Sequence, residues 1–221
     1  MAEAEAQWNC EFIAITDHSK GLKIAGGMDE ERLAEQGEDI TRVNHALGAR
    51  GSRLLVLRSI EMNLSPEGVQ DMEPEALERL DLVLAASHSR LRLTEDKTDR
   101  YPRALRNPTF HVLAPARGRV FNRRRGLSAD WPRVLKAAAG EGKTLEVDAH
   151  HSRDLDSDLL DLARDAGLWI SIGTDAHLLR ELQYVEFGVA LAICAGFPRE
   201  RILNYQPLES ELEWAGRRSG S

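Results

Sequence analysis

The sequence predicts an α/β fold in which helices cover a parallel β-sheet. Short apolar runs typical of strands alternate with longer helical patterns along the chain. The 221 residues, of which 42% are hydrophobic, are enough for one substantial core and therefore for a single barrel-sized domain. Side chains that can bind metals follow several of the apolar runs directly. Since functional groups gather at the carboxyl ends of parallel strands, we expect one site at that edge of the sheet.

Six apolar runs are predicted to be strands, because each is short and bounded by polar residues. They are Glu11–Thr16, Leu54–Ile60, Leu82–Ser87, Phe110–Ala114, Thr144–Val147 and Trp169–Gly173. Helical periodicity fills the intervening segments. The predicted helices are Asp29–Leu47, Pro74–Arg79, Thr94–Leu105, Asp130–Ala139, Asp156–Ala166, Leu178–Ala195 and Leu208–Ala215. This alternation indicates a parallel sheet with helices outside it.

Composition argues against a secreted or membrane-spanning protein. Cys10 and Cys194 form no CxxC pattern and are too few for a disulfide framework, which favours a reducing compartment. No apolar run reaches the ~20 residues that a membrane span requires, and the mean hydropathy is -0.39. The acidic segment Met1–Ala6 is unlike a signal peptide. The sequence therefore predicts a cytoplasmic protein with no membrane partner.

Metal-binding side chains occur at four predicted strand ends. They lie in the segments Ile15–His18, Ser59–Glu61, Ala86–His88 and Gly173–His177. A strand fixes its last residue, so several strand ends can direct His, Asp and Glu at one point, as in sites for Zn, Mn or Fe. One such His would most simply be a core or capping residue. Because metal-binding side chains occur at four strand ends, we expect a metal-dependent hydrolase.

The net charge of -7 conceals a strongly basic block. Residues 100–129 contain eight arginines and no Asp or Glu, so this block carries +8 and the rest of the chain -15. Guanidinium groups pair with phosphate oxygens bidentately, so the block suits a phosphate ester or a nucleic-acid backbone. A solvated face balanced by an acidic neighbour is the alternative, and the sequence leaves both open.

The same motifs resemble those of the PHP (polymerase and histidinol phosphatase) family. The order TDHS, IEMN, ASHSR, LEVDA and SIGTDAH is similar to that in the PHP domain of bacterial family X DNA polymerases and in related stand-alone PHP proteins. The similarity extends from about Ala14 to about Trp214 and includes the connecting segments. It implies a distorted (β/α)7 barrel that binds up to three divalent metal ions, Mn, Zn or Fe, at the carboxyl ends of its strands.

The resemblance implies five metal ligands in this chain. His18 and His177 resemble ligands of an outlying metal, and Glu61 resembles the carboxylate that bridges two metals. His88 resembles a ligand of the second metal and Asp175 a ligand of the first. Glu61 and Asp175 are also the expected catalytic residues. Metals held by such residues would activate water for attack on phosphorus.

Further residues are predicted to support this site. The candidates for binding the substrate phosphate are Arg90, Arg119, Arg123 and Arg124. The candidates for orienting ligands or water are Asp17, Asp148 and His150. Loop solvation is an equal alternative for Arg90, and strand-end capping is an equal alternative for the two aspartates. For His150, a direct contact with a metal or a substrate phosphate is also open.

The chain departs from the family pattern in two places. The family begins with a strand ending in Asp-X-His-X-His, which nothing before Ala14 supplies. Residues 1–10 resemble instead the end of the helix that follows that strand. The family's His-Pro pair corresponds to residues 112–119, with Pro115 at the histidine position, and proline cannot bind a metal. Five of about nine family ligands remain, so we expect fewer than three metals.

A barrel that lacks its first strand has two unpaired edges, beside Glu11–Thr16 and Trp169–Gly173. We expect this gap to be covered by residues 1–10, to be filled by association with another chain, or to lower the stability. The predicted organisation is thus a single PHP domain over residues 1–221, which lacks the first strand. Residues 208–221 form its last helix and tail.

The predicted activity is metal-dependent hydrolysis of a phosphate ester. The arginine block slightly favours DNA 3′ ends as the substrate, as for a 3′-5′ exonuclease. A second hypothesis is a degenerate, catalytically impaired PHP fold that binds a phosphate group or a partner. A third is a small-molecule phosphatase similar to histidinol phosphatase. Metal content separates the first hypothesis from the second.

Overall fold

The computed structural model of the chain describes residues 2, 10–65, 67–87, 96, 98–150 and 157–216. Within these residues, strands alternate with helices. The strands are β1 (Phe12–Ile15), β2 (Leu55–Asn63), β3 (Leu82–Ala86), β4 (Val112–Leu113), β5 (Thr144–Asp148) and β6 (Trp169–Gly173). The α-helices are α1 (Glu30–Ala49), α2 (Pro74–Leu77), α3 (Arg100–Leu105), α4 (Trp131–Gly140), α5 (Ser157–Asp165), α6 (Val185–Cys194) and α7 (Leu208–Gly216). The 3-10 helices are Lys23–Ala25, Leu179–Tyr184, Arg199–Arg201 and Leu203–Tyr205.

All six strands belong to one parallel sheet, and their order in the sheet is their order in the chain. Each connection therefore crosses over to the adjacent strand. Because such crossovers in a parallel sheet nearly always have the same hand, the sheet curls in one direction. The result is a curled half-barrel with helices outside it. The predicted α/β barrel architecture is confirmed.

Several predicted elements differ in their bounds; the predicted helix over Thr94–Leu105, for example, begins at Arg100. β2 continues to Asn63 because its last residues pair with β3, and Glu61 therefore lies within the strand instead of at its end. The region predicted as one helix over Leu178–Ala195 is a 3-10 helix followed by α6. Its first turn is held by the Glu181 carboxylate, which accepts two backbone N–H groups. β4 is shorter than predicted, at two residues.

The buried side chains form three clusters, which lie on the two faces of the sheet. The outer face packs against the helices, and β2 and β3 contribute the fully buried Ile60 and Val83 to it. The inner face carries Leu82 and Leu84 of β3, which pack with Trp214 of α7. α7 therefore closes part of the barrel interior, and this places its other side chains close to the inner face of the sheet.

β1 and β6 are the two edges of the sheet. Among the described residues, each of them pairs with one neighbouring strand. The residues of β1 are only half-buried, whereas every residue of β3 is buried. Nearly all of residues 1–10, predicted to be the remnant of a first helix, lie outside the described residues. Association that covers this edge stays a prediction.

A helix able to cross a membrane does not occur in the described part of the chain, since none there is both long and apolar enough. The predicted cellular location stays a prediction.

Gly188 of α6 approaches the sheet too closely for any side chain. An added Cβ would lie 2.5 Å from Ile172 Cγ2 and 3.1 Å from Ala149 Cβ. We expect Gly188→Ala to lower the free energy of unfolding by about 1–2 kcal/mol, because overpacking outweighs the gain in helix propensity. Gly37→Ala in α1 is the control, since among the described residues its Cβ would meet only Arg58 Cδ, at 3.8 Å. Urea unfolding measures both, and equal stability of the two variants would contradict the close packing.

Candidate active site

A cavity of about 940 Å³ extends from the carboxyl ends of the strands into the barrel interior. Six of the residues predicted from the sequence line it. They are Asp17, His18, Glu61, Asp148, Asp175 and His177. Pro115, the residue at the family's histidine position, lines it as well. The fold thus brings half of the twelve predicted site residues together, although they come from β2 and from the segments at the ends of three other strands.

The pairing of the first two strands places His18 beside Glu61. Beyond the end of β1, the Glu61 N–H donates to Asp17 O at 2.9 Å, and the Ser19 N–H donates to Glu61 O at 3.1 Å. These bonds hold His18 directly opposite Glu61, with 3.1 Å between His18 Nδ1 and Glu61 Oε2. Both side chains are largely shielded from solvent, at 19% and 12% exposure. Such a pair can form an ion pair or share a bound cation.

Asp175 and His177 lie in the loop after β6. Asp175 has a φ of +46°, a left-handed conformation that is uncommon for a residue other than glycine. His177 Nδ1 lies 2.8 Å from Asp175 O and 3.9 Å from Asp175 Oδ1. The hydrogen bond from the His177 backbone N–H lowers the pKa of the Glu181 carboxyl. Backbone strain of this kind concentrates at functional sites, so the loop conformation supports a functional role for Asp175.

β5 contributes two carboxylates to the cavity, one of which was missed in the sequence. Asp148 is buried and accepts the His150 backbone N–H at 2.9 Å. Glu146 lies two residues earlier on the same face of the strand and also lines the cavity. A Cβ on Gly173 would lie only 2.4 Å from Glu146 Oε1, so the bare glycine makes room for this carboxylate. The alternation Thr144, Glu146, Asp148 was the signal that could have identified it.

Glu211 of α7 is the second residue that the sequence analysis missed. It lines the cavity, its side chain is buried, and its Oε2 has no hydrogen-bond partner within the described structure. Burial raises the pKa of the Glu211 carboxyl to about 7. No local sequence signal points to it, because only the docking of a distant helix brings Glu211 into the barrel.

The cavity is strongly acidic. The carboxylates that line it are Asp17, Glu61, Glu146, Asp148, Asp175 and Glu211. Among the described residues, Arg32 is the one Lys or Arg in the lining. Negative charges gathered in a confined cavity repel anions and concentrate cations. A phosphate ester would therefore enter this cavity favourably only after cations had neutralised part of the charge.

The donor set fits part of a divalent-metal site. His18 with Glu61 and Asp175 with His177 each pair an imidazole with a carboxylate, which are common ligands of Zn and Mn. Within the described residues, no three His, Cys, Asp or Glu side chains converge. His88, the remaining predicted ligand, lies outside them. The described residues thus offer two donor pairs, and about four donors are needed to hold Zn.

Three of the predicted arginines, which the structure describes, do not line the cavity. Arg119 Cζ lies 5.6 Å from the centre of the Phe121 ring, and Arg124 Nε donates to Gly118 O at 2.6 Å. Arg123 is exposed in the same turn. Arg90 lies outside the described residues. Arg119, Arg123 and Arg124 form a basic turn after β4. The role of all four arginines in binding phosphate stays a prediction.

His150 packs edge-on against the Tyr184 ring, with 5.4 Å between the ring centres. It is not among the residues that line the cavity, and it contacts Asp148 through its backbone N–H. The predicted role of His150 in orienting ligands or water also stays a prediction.

Comparison with known proteins finds relatives that are named as an exonuclease and as phosphatases. It is 32% identical over 211 residues to the DNA polymerase/3′-5′ exonuclease PolX of Bacillus subtilis, an alignment that covers 95% of this chain and 36% of that protein. The chain thus spans about a third of the length of this relative. It is also 29% identical over 192 residues to a probable phosphatase of Tolumonas auensis, which covers 78% of this chain and 76% of that protein. No protein-family model matches the chain.

A solved structure shows the same fold. The histidinol phosphate phosphatase of Lactococcus lactis, crystallised with zinc, L-histidinol and phosphate, superimposes with a TM-score of 0.52 at 15% identity. The superposition covers 89% of this chain and 86% of that one. The half-barrel is therefore a PHP-type barrel. The chain is similar in sequence to a polymerase/exonuclease and to a probable phosphatase, and it shares the fold of a histidinol phosphatase. We conclude that the chain belongs to the PHP family.

Proposed function

We propose that this chain is a metal-dependent phosphoesterase that acts in the acidic cavity. The observation that carries the proposal is that the pairs His18–Glu61 and Asp175–His177 both line one cavity at the carboxyl ends of β1, β2 and β6. Six carboxylates of the described residues line this cavity, so it is suited to cations. The phosphatase and exonuclease names of the relatives support the same class of reaction.

Each paired residue has a distinct task in this proposal. Glu61 and Asp175 supply negative charge at positions fixed by backbone pairing and by the strained loop. His18 and His177 supply neutral imidazole donors beside them. Divalent metals, when bound, would neutralise the carboxylates and activate water for attack on phosphorus. His88 is the fifth proposed ligand.

The proposed substrate is a nucleic-acid 3′ end. The basic turn with Arg119, Arg123 and Arg124 lies outside the cavity lining, where it can contact a backbone that extends beyond the scissile phosphate. Phe121 in this turn is 60% exposed and lies against the Arg119 guanidinium, an arrangement that suits stacking of an unpaired base. A small phosphomonoester would need no such surface.

The proposal predicts Mn²⁺-dependent hydrolysis of 3′-labelled single-stranded DNA. Purified protein freed of metal with EDTA is assayed with and without Mn²⁺ on this DNA, on p-nitrophenyl phosphate and on histidinol phosphate. We expect activity on DNA that requires Mn²⁺ and falls steeply as salt rises, because phosphate contacts release counterions. Activity confined to the two small esters would assign a small-molecule phosphatase instead.

A degenerate PHP fold that binds phosphate or a partner is the competing proposal. It is favoured by Pro115, which lines the cavity where the family has a metal-binding histidine. Elemental analysis of the purified protein decides between the two. Less than one Mn, Zn or Fe per chain, together with no hydrolysis of any of the three substrates, would favour the degenerate fold.

A further inference from the structure

A partly buried hydrogen-bond network joins the segment after His18 to the end of β2. Ser19 is fully buried, and its Oγ lies 2.8 Å and 2.7 Å from the two carboxylate oxygens of Asp71. The same Oγ accepts the Asn63 backbone N–H at 2.8 Å. Asp71 Oδ2 also accepts the Gly21 backbone N–H at 2.6 Å. One carboxylate thus joins the loop that follows β1 to the end of β2.

The loop encloses this carboxylate tightly. A Cβ on Gly21 would lie 2.4 Å from Asp71 Oδ2 and 2.8 Å from Asn63 Nδ2. The Met28 N–H donates to His18 O at 2.8 Å, which closes the loop from its other side. The backbone around His18 is therefore held by Asp71 on one side and by residue 28 on the other.

We infer that Asp71 is a positioning residue that holds His18 against Glu61, although it does not itself line the cavity. The hydroxyl bound to Asp71 belongs to Ser19, the residue directly after His18. The amide bound to that hydroxyl belongs to Asn63, two residues after Glu61. The inference rests on the proposed function, because it assigns Asp71 to the metal-binding pair of that function. Groups that orient metal ligands typically contribute about 10- to 100-fold to metal affinity.

A second contact keeps the Asp71 segment attached to the fold when the carboxylate is changed. Glu30 Oε1 accepts both Lys20 Nζ at 2.7 Å and the Glu73 backbone N–H at 3.0 Å. The Glu30 carboxylate raises the pKa of Lys20, and the Lys20 ammonium lowers the pKa of Glu30. Replacement of Asp71 should therefore loosen the His18 loop locally without releasing it from α1.

The test compares Asp71→Asn with Asp130→Ala in the full chain. Asp130 caps α4 by accepting the Arg133 N–H at 3.1 Å, and it does not line the cavity. Asp130→Ala therefore controls for a general loss of about 1 kcal/mol in the free energy of unfolding. Titration with Mn²⁺ followed by EPR gives the dissociation constant. We expect a dissociation constant about 10- to 100-fold higher for Asp71→Asn, and within about twofold of the native value for Asp130→Ala.

The EPR line shape of saturated protein reports the symmetry around Mn²⁺, and we expect it to change in Asp71→Asn and not in Asp130→Ala. Unchanged affinity and line shape in Asp71→Asn would overturn the inference. If the native protein itself binds no Mn²⁺, this result would instead contradict the proposed function.

If the native protein binds no Mn²⁺, hydrogen exchange still tests the inference, because this measurement needs no metal. The Ser19 and Glu61 N–H groups form the pairing that holds His18 in place. We expect their exchange to be at least about tenfold faster in Asp71→Asn and unchanged in Asp130→Ala. Equal protection of both amides in native protein and in Asp71→Asn would overturn the positioning role.

Discussion

Glu61→Gln should lower kcat/KM for Mn²⁺-dependent phosphate-ester hydrolysis at least about 100-fold, because metal-centred stabilisation of the reaction contributes several kcal/mol. Glutamine preserves the shape of the side chain and leaves the backbone bonds to Asp17 and Ser19 intact. The loss would therefore come from the missing charge beside His18 and not from a change of fold. Steady-state kinetics with far-UV circular dichroism of the same samples measures both properties.

Asp175→Asn provides an independent test of the same site. Asparagine tolerates the left-handed conformation that Asp175 adopts, so the substitution removes the charge without adding backbone strain. We expect a comparable loss of kcat/KM. Glu209→Gln, on the exposed side of α7, is the control and should retain native kinetics. Activity within a few-fold of native in both Glu61→Gln and Asp175→Asn would show that the reaction occurs elsewhere.

The metal-free protein should lose about 3 kcal/mol of stability between pH 4.5 and pH 7 because of Glu211. The pKa of this carboxyl rises from its ordinary 4.5 to about 7, and burial is the cause. In this pH window the unfolded chain releases the proton while the folded chain retains it. The free energy of unfolding therefore falls as the pH rises, and the fall ends once the folded state also ionises, above about pH 7.

Glu211→Gln should remove this pH dependence. At pH 8 we expect the variant to be up to about 3 kcal/mol more stable than the native protein, and at pH 5 we expect little difference. Glu209→Gln, two residues earlier on the same helix and exposed, should follow the native curve. Urea unfolding in EDTA at several pH values measures all three proteins. Parallel curves for native protein and Glu211→Gln would show that Glu211 is ionised in the folded state.

The consequence for function is a link between the acidic cavity and the stability of α7. Ionised Glu211 adds a further negative charge to a cavity already lined by five other carboxylates. Cations that enter the cavity would relieve this repulsion, so Mn²⁺ binding should be linked to proton release above pH 5. The charge of Glu211 in the barrel interior and the charges at the strand-end site therefore influence one another.

Much of the fold followed from local patterns. The six strands were located to within a few residues because buried strands of a parallel sheet are short apolar runs between polar segments. The bounds were less accurate where pairing extends a strand. β2 continues to Asn63 only because β3 offers partners there, a property of the sheet and not of the segment itself.

The sequence by itself determined the fold class, the family and the residues at the strand ends, since each of these depends on local periodicity or on motif order. Only the tertiary structure decided that Glu146 and Glu211 share the cavity, and that Asp71 lies behind His18. It also decided that the basic turn lies outside the cavity lining. The physical reason is that burial, charge density and hydrogen bonds arise between residues distant in the chain. Folding brings Glu211 of the last helix into the same cavity as Glu61 of the second strand.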